Sequence, residues 1–204
     1  MKVGLFGGSF SPPHNGHVRL AKLFLEAVAL DVLFVMPAGV APHKAGDPSG
    51  TPEARLAMAN LAFGDFATVS DFEVSREGKS YTYKTLRHLR TLYPEAELYL
   101  LMGEDMFLTL DSWMRAEEIF SLASIVCMRR TVDADDALRE TAARFVSDFG
   151  ARVLYLPHAP LVASSSQVRA LCTRGESVAH LVPPSVENYI KEHQLYGYGK
   201  RDHQ

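Results

Sequence analysis

Two histidines near the amino terminus are the side chains best suited to chemistry. His14 and His17 follow an apolar, strand-like run that ends at Phe6 and breaks into Gly7-Gly8-Ser9-Phe10. An apolar helical pattern begins at Val18, so the glycines should fill a strand-to-helix turn whose backbone N–H groups can face an anion. Imidazoles beside such a turn can donate hydrogen bonds to phosphoryl oxygens. The pattern predicts a nucleotide-phosphate site with unpaired N–H groups near residues 15–17.

Other chemistries fit this segment less well. Two histidines three positions apart can share a helical face and bind a metal, but zinc would need further ligands, and Ser11 and Asn15 are poor substitutes. The dinucleotide fingerprint G-x-G-x-x-G is absent after the first strand, and no complete P-loop is present. We therefore favour phosphate binding over a metal site.

A second polar cluster lies about 150 residues later in the chain. It reads Ser164-Ser165-Ser166-Gln167-Val168-Arg169 and precedes an apolar helical pattern. Serine is a good helix N-cap, and hydroxyls, backbone N–H groups and a guanidinium can converge there on a phosphate. An ordinary capped surface helix is the alternative for this segment taken alone.

Short apolar runs alternate with helical patterns along the chain, and the strands and helices that they predict must position the two clusters. Strands are predicted at 3–6, 32–36, 68–70, 98–102, 125–128 and 153–156, and helices at 18–29, 52–63, 83–92, 135–149, 165–174 and 184–193. Such alternation is typical of an α/β protein with a Rossmann-like open parallel sheet and helices on both faces. Ligands of such sheets bind at the carboxyl ends of the strands.

Composition narrows the class of protein. The 204 residues carry a net charge of −3 without long charged blocks, which argues against nucleic acid as a partner. The two cysteines, Cys127 and Cys172, are isolated, and no signal peptide or membrane-spanning run is evident. We expect a cytoplasmic protein without membrane partners. One domain over 1–204 is expected, with a core at 1–160 and a helical carboxyl-terminal part at 161–204.

The two clusters together resemble the nucleotidyltransferase superfamily with the H-x-G-H signature, present here as His14-Asn15-Gly16-His17, and with a Ser-rich, Arg-bearing helix start near the carboxyl terminus. Within the superfamily the chain is similar to the nicotinate mononucleotide adenylyltransferases of bacterial type along nearly its whole length. The segments that carry this similarity are Gly7-Gly8-Ser9-Phe10, Pro42-His43-Lys44, Arg55, Ser80-Tyr81-Thr82, Gly103-Glu104-Asp105, Ser112-Trp113, Gly175-Glu176 and Leu181-Val182-Pro183.

The resemblance implies transfer of AMP from ATP to nicotinate mononucleotide, with release of pyrophosphate, in NAD biosynthesis. His14, His17 and Arg169 would be catalytic, and Mg²⁺ would be carried by the ATP phosphates. ATP would also contact Gly7, Gly8, Ser9, Phe10, Gly103, Asp105, Ser165 and Ser166. The mononucleotide would contact His43, Lys44, Thr82 and Trp113. A homo-oligomer is compatible with the resemblance.

Four alternatives stay open at this point. Trp113 could be a core residue instead of a ligand contact, and Asp105 could be a helix cap. A sister enzyme that adenylylates phosphopantetheine shares both phosphate motifs, although Trp113 and the segment Ser80-Tyr81-Thr82 speak against it. A regulator that binds nucleotides without turnover is the alternative from another class.

Overall fold

The computed structural model describes residues 1–39, 50–128, 135–156 and 163–199. Two of the predicted mononucleotide contacts, His43 and Lys44, lie outside these ranges. Their roles therefore stay predictions from the resemblance.

In the described ranges six strands form one open sheet, and the predicted α/β fold is confirmed. They are β1 (Lys2–Gly8), β2 (Val32–Pro37), β3 (Thr68–Val69), β4 (Glu97–Gly103), β5 (Ala123–Met128) and β6 (Val153–Leu156). Their order in the sheet is β3-β2-β1-β4-β5-β6. β4 pairs in parallel with β1 on one side and β5 on the other, with Leu5 opposite Leu100 and Leu100 opposite Ile125. The carboxyl ends of neighbouring strands therefore share one edge.

The longer helices lie where the sequence predicts them, and two short ones are additional. The helices are α1 (Asn15–Val28), α2 (Pro52–Phe63), α3 (Thr82–Leu92), α4 (Glu104–Phe107), α5 (Ala116–Leu122), α6 (Asp135–Phe149), α7 (Ser165–Thr173) and α8 (Pro184–Glu192). The Thr51 hydroxyl caps α2 by accepting from the backbone N–H of Ala54 at 3.2 Å. Gly175, with a φ of +70°, follows the end of α7 in the left-handed conformation that glycine adopts readily.

Three differences from the predicted elements have local causes. β1 continues through Gly8, whose carbonyl oxygen accepts from the backbone N–H of Ala38 at 2.9 Å, so the glycines belong to the strand end. α1 begins at Asn15, three residues earlier than the apolar pattern indicates. The short helices α4 and α5 were not predicted, since four and seven residues are too few to display a helical period.

The chain forms two compact units. The first comprises Met1–Gly7, Ala21–Phe34 and Ser80–Pro160, and the second comprises Gly8–Leu20, Val35–Lys79 and Leu161–Gln204. Fully buried side chains of the first include Val3, Phe24, Ile125 and Phe145. The second has an apolar cluster of its own, made by Met58, Ala163, Val168, Cys172, Val178, Leu181, Val182, Val186 and Ile190. The division at residue 160 is one of several boundaries between the units, and the expectation of a single domain stays a prediction.

Within the described ranges, none of the helices combines the length and the apolar character needed to span a bilayer.

Candidate active site

The two signature histidines form a stacked pair at the start of α1. Their ring centroids are 3.7 Å apart, and the ring planes are inclined by 26°. The backbone N–H of His17 donates to Nδ1 of His14, and the backbone N–H of His14 donates to Nδ1 of His17, both at 3.3 Å. Since the carbonyl of His14 accepts the first helical bond, from Val18, this is a reciprocal cap of the capping-box kind made with imidazoles.

This cap determines which ring nitrogen carries the proton. A neutral imidazole has one N–H donor and one acceptor nitrogen, and in both rings Nδ1 is the acceptor. Nε2 of His14 and of His17 is therefore protonated in the neutral rings. Each histidine can donate one Nε2–H to an acceptor such as a phosphoryl oxygen without first gaining a proton.

His14 keeps that neutral form over a wide pH range. Its side chain is only 4% exposed, and burial lowers its pKa from 6.5 to about 4. Burial therefore makes His14 a neutral donor at pH 7.

The glycine of the signature is explained by the same stacking. A Cβ at Gly16 would lie 3.0 Å from Nδ1 of His14, closer than side chains normally approach. Two hydrogen bonds tie Asn15 to the carboxyl-terminal part of the unit. Its backbone N–H donates to the carbonyl of Leu181 at 2.8 Å, and its side-chain amide donates to the carbonyl of His180 at 3.3 Å. The signature is thus a compact, internally bonded helix start.

These bonds revise one expectation about anion binding. The backbone N–H groups of Asn15 and His17 were predicted to be unpaired, but they donate to Leu181 and to His14. What this helix start can offer a phosphate is chiefly the pair of Nε2–H groups. Among the residues that the structure describes, none has an atom within 4 Å of the position of a Cβ at Gly7, at the end of β1, so the missing side chain leaves open space there in front of the backbone.

Phe10 supports the histidines from inside the unit. It is 2% exposed and has a φ of +46°, which is uncommon for a bulky residue. Its ring packs edge-on against His17 at 5.2 Å and against Phe63 at 5.4 Å, and a Cβ at Gly8 would lie 3.0 Å from it. The structure therefore places Phe10 in the core, where it holds the His17 ring, and Gly8 makes room for it.

The serine-rich segment is the N-terminus of α7, as predicted. Ser164 caps the helix by accepting from the backbone N–H of Gln167 at 3.1 Å, and Ser165 donates to the carbonyl of Pro12 at 2.9 Å. Arg169 donates from Nη1 to the carbonyl of Ser11 at 2.7 Å and from Nη2 to the Ser166 hydroxyl at 3.3 Å. The second motif is thereby joined to the turn that carries His14, and both motifs belong to the same compact unit.

Arg55 is a buried cation of this unit whose contacts the sequence did not reveal. It is 7% exposed and donates to the carbonyl of Ser9 and to the carbonyl of Gly39, both at 2.8 Å. It thus links the turn after β1 to the segment after β2. Its position in the first turn of α2 was the available signal, but its partners are backbone atoms that no side-chain motif indicates.

The other predicted contacts belong to the first unit. Gly103 ends β4, Asp105 is exposed in α4, and Thr82 is the first residue of α3. Trp113 follows a 3₁₀ turn at Leu110–Ser112 and is partly buried, and the next residue, Met114, is 56% exposed. Trp113 is therefore not a residue of the buried core, and the contact of its indole with the mononucleotide stays a prediction.

Comparisons with known proteins show the family of this chain. The family model for cytidylyltransferase-like proteins matches residues 5–171. A probable nicotinate-nucleotide adenylyltransferase of Geobacter sulfurreducens is 37% identical, over 97% of this chain and 99% of its own, and one of Synechococcus sp. (strain JA-3-3Ab) is 38% identical over 96% and 94%.

A solved structure shows the same fold. The nicotinic acid mononucleotide adenylyltransferase of Plasmodium falciparum, complexed with NaAD, superposes with a TM-score of 0.75 over 98% of this chain and 99% of its own, at 17% identity. The full-length match to curated relatives, together with both signatures in place, identifies the family. The chain belongs to the cytidylyltransferase-like family and, within it, to the nicotinate-nucleotide adenylyltransferases.

Proposed function

We propose that the protein transfers the adenylyl group of ATP to nicotinate mononucleotide, forming nicotinate adenine dinucleotide and pyrophosphate. The observation that carries the proposal is the junction of the two signatures in one compact unit. The stacked histidines stand on the turn whose Ser11 carbonyl accepts from Arg169. Family membership supports the identity of both substrates.

The substrate itself supplies the nucleophile. A phosphate monoester has a second pKa near 6 and is largely dianionic at neutral pH, so no protein base is needed to ionise it. The protein has to align that oxygen with the α-phosphorus and stabilise charge on the phosphate oxygens. The bond from the mononucleotide oxygen to the α-phosphorus forms, the bond between the α- and β-phosphates breaks, and pyrophosphate leaves with the electron pair.

His14, His17 and Arg169 perform the stabilisation in this proposal. The two histidines each present an Nε2–H whose direction is set by the reciprocal cap. Donors that are already oriented need little reorganisation when charge develops, which is the main advantage of a preorganised site. A guanidinium has five N–H donors, so Arg169 can hold its two protein contacts and still grip phosphate oxygens.

The Mg²⁺ ion belongs to the ATP in this proposal. Mg²⁺ prefers six oxygen ligands and usually keeps several waters while it binds substrate phosphates. Within the described ranges, no three His, Cys, Asp or Glu side chains are close enough together to form a metal site. Oxygens of the triphosphate and of water molecules can supply the six ligands that Mg²⁺ prefers. The ion would further neutralise the charge of the phosphates.

The contacts of the nucleosides are the second part of the proposal. Asp105 would accept from ribose hydroxyls of ATP beside Gly103, and Ser165 and Ser166 would assist at the phosphates. Thr82 and Trp113, with His43 and Lys44 from the sequence, would hold the mononucleotide. A cytoplasmic location and the absence of nucleic-acid and membrane partners stay part of the proposal, as does a homo-oligomer.

A comparison of acceptors tests the function directly. Pyrophosphate release from ATP is measured side by side with nicotinate mononucleotide, nicotinamide mononucleotide and phosphopantetheine. We expect the highest kcat/KM with nicotinate mononucleotide. Faster turnover of phosphopantetheine would assign the protein to the sister reaction, and nucleotide binding without pyrophosphate release would make it a regulator.

A further inference from the structure

Tyr196, close to the carboxyl terminus, has no role in the proposed reaction so far. It lies in a 3₁₀ turn at Leu195–Gly197, and its ring packs against the apolar cluster of the second unit. Its hydroxyl is 3.5 Å from the Ser11 hydroxyl, 185 positions away in the sequence. This tyrosine therefore reaches the turn between β1 and the histidine pair.

A closed series of contacts links Tyr196 to Arg169. The Thr173 hydroxyl, at the end of α7, lies 3.0 Å from the carbonyl oxygen of Arg169 and 3.1 Å from that of Tyr196. On the other side, the Arg169 guanidinium donates to the carbonyl of Ser11, whose hydroxyl faces Tyr196. Arg169 and Tyr196 thus share two contact partners, Thr173 at the end of α7 and Ser11 in the turn.

Burial keeps the Tyr196 hydroxyl neutral. Burial raises the pKa of Tyr196 to about 12, while the Ser11 hydroxyl and the positive charges of Arg169 and Arg55 act in the opposite direction. The phenol therefore retains its proton near pH 7 and can donate to Ser11.

The distance between the two hydroxyls is longer than usual. Ordinary O–H···O bonds measure about 2.7–2.8 Å, against 3.5 Å here. Contacts that support catalysis are often long in a protein without substrate and shorten in the loaded complex. A ligand that draws Arg169 towards its phosphates would pull on Ser11, the residue that Arg169 and Tyr196 share.

We infer that Tyr196 is a positioning residue for adenylyl transfer, which steadies Ser11 and, through the Ser11 carbonyl, the direction in which Arg169 presents its remaining N–H groups to the triphosphate. This inference rests on the proposed function. Each contact described for Tyr196 is to protein, so its action is indirect and confined to the hydroxyl, while the ring contributes packing.

A double-mutant cycle tests the inference. Tyr196→Phe removes the hydroxyl and keeps the ring, and Ser11→Ala keeps the carbonyl that Arg169 contacts. Each single variant should lower kcat/KM for ATP about fivefold, as expected for loss of one hydrogen bond. The KM for nicotinate mononucleotide and the unfolding midpoint should stay unchanged. The double variant should be no worse than the poorer single variant, because both changes break the same contact.

Tyr198→Phe is the matched control. It lies two residues further along, and its ring sits 6.0 Å from the Lys191 ammonium. Its kinetics should equal those of the wild type. Additive effects of Tyr196→Phe and Ser11→Ala would overturn the link through Ser11. An equal loss for both substrates, with an earlier unfolding midpoint, would show that Tyr196 only supports folding.

Binding of inorganic tripolyphosphate decides the inference independently of turnover. Calorimetric titration should give a Kd about fivefold weaker for Tyr196→Phe than for the wild type or Tyr198→Phe. If the wild type fails to release pyrophosphate, the proposed function is wrong, yet weaker tripolyphosphate binding would still support Tyr196 as a positioning residue. Equal Kd values for all three proteins would overturn the inference.

Discussion

The candidate phosphate residues and the candidate mononucleotide residues differ in how firmly the protein holds them. In the second unit, His14, His17 and Arg169 all have hydrogen bonds to nearby backbone or side chains. In the first unit, Thr82 at the start of α3 and Trp113 after the 3₁₀ turn are only partly buried. In the proposed reaction, the chemistry would therefore use preorganised donors, whereas recognition of the second substrate would rely on surface groups that the ligand itself covers.

Replacement of His17, one of the firmly held phosphate residues, should cause the largest loss of activity. His17→Ala removes an oriented Nε2–H and should reduce kcat by a factor on the order of 10², equivalent to about 3 kcal/mol. The variant should also lose about 1 kcal/mol of stability, because His17 accepts from the backbone N–H of His14. Steady-state kinetics and urea unfolding measure the two effects.

A glutamine at the same position separates the two roles of His17. His17→Gln can still accept from the N-cap N–H, as glutamine does in ordinary capping boxes, so its stability should return towards that of the wild type while kcat stays low. Recovery of kcat in His17→Gln would show that the cap alone matters, and His17 would then leave the mechanism.

Arg169→Lys tests whether the guanidinium acts by geometry or by charge alone. The ammonium keeps the charge but cannot hold Ser11, Ser166 and phosphate oxygens in one planar arrangement. We expect kcat/KM for ATP to fall about 30-fold, close to 2 kcal/mol for lost charged hydrogen bonds. Arg174→Lys, in the residue just after α7, is the control. Equal activity of Arg169→Lys and the control would reduce Arg169 to a general positive charge.

The pH dependence of stability tests the buried neutral state of His14. Because its pKa is lowered to about 4, the unfolded chain binds a proton near pH 6.5 that the folded protein does not accept until much lower pH. Stability should therefore fall as the pH drops from about 6.5 towards 4, and His14 should account for about 2 kcal/mol between pH 7 and pH 5.

Urea unfolding at pH 7 and pH 5 measures this contribution. His14→Asn, which can still cap the helix, should lack that part of the pH dependence. His180→Gln, at an exposed position, should keep it. An unchanged pH dependence in His14→Asn would mean that His14 is protonated or solvated in the folded protein.

Trp113→Ala should have the smallest effect and should be selective. Loss of stacking on the pyridine ring should raise the KM for nicotinate mononucleotide several-fold, equivalent to roughly 1 kcal/mol, with little change in the KM for ATP or in stability. Trp113→Phe should retain most of the affinity. Because Trp113 is the only tryptophan, fluorescence titration with the mononucleotide reports on it directly. A large loss of stability, together with a higher KM for both substrates, would show that Trp113 is a core residue.

The sequence predicted the regular elements well because burial leaves a strong periodic pattern. The strand 153–156 and the helices 52–63 and 135–149 match the structure to the residue. The helix predicted at 165–174 ends one residue earlier. Short elements such as α4 and α5 carry too few residues for a period, and the preceding Arg115, in a left-handed conformation, gives no sequence signal of a helix start.

The candidate site was predicted by residue type more than by contact. The H-x-G-H segment indicated phosphate chemistry, but the reciprocal Nδ1 contacts depend on the stacked rings, and spacing alone does not reveal them. The predicted contact of Phe10 with ATP stays a prediction, and no sequence pattern indicated that its ring packs against His17. The partners of Arg55 are backbone carbonyls, which are present at every residue and so leave no pattern in the sequence.

The parallel pairing of β1 with β4 joins two strands that are synthesised at different times. Lys2 lies opposite Glu97, so β1 leaves the ribosome about a hundred residues before the strand that it pairs with. At about 5–20 residues per second, the nascent chain waits roughly 10 to 30 s between synthesis of His14 and synthesis of Arg169. Such distant pairings slow folding, because the intervening chain must close first. The proposed phosphate site is consequently among the last features that a growing chain can complete.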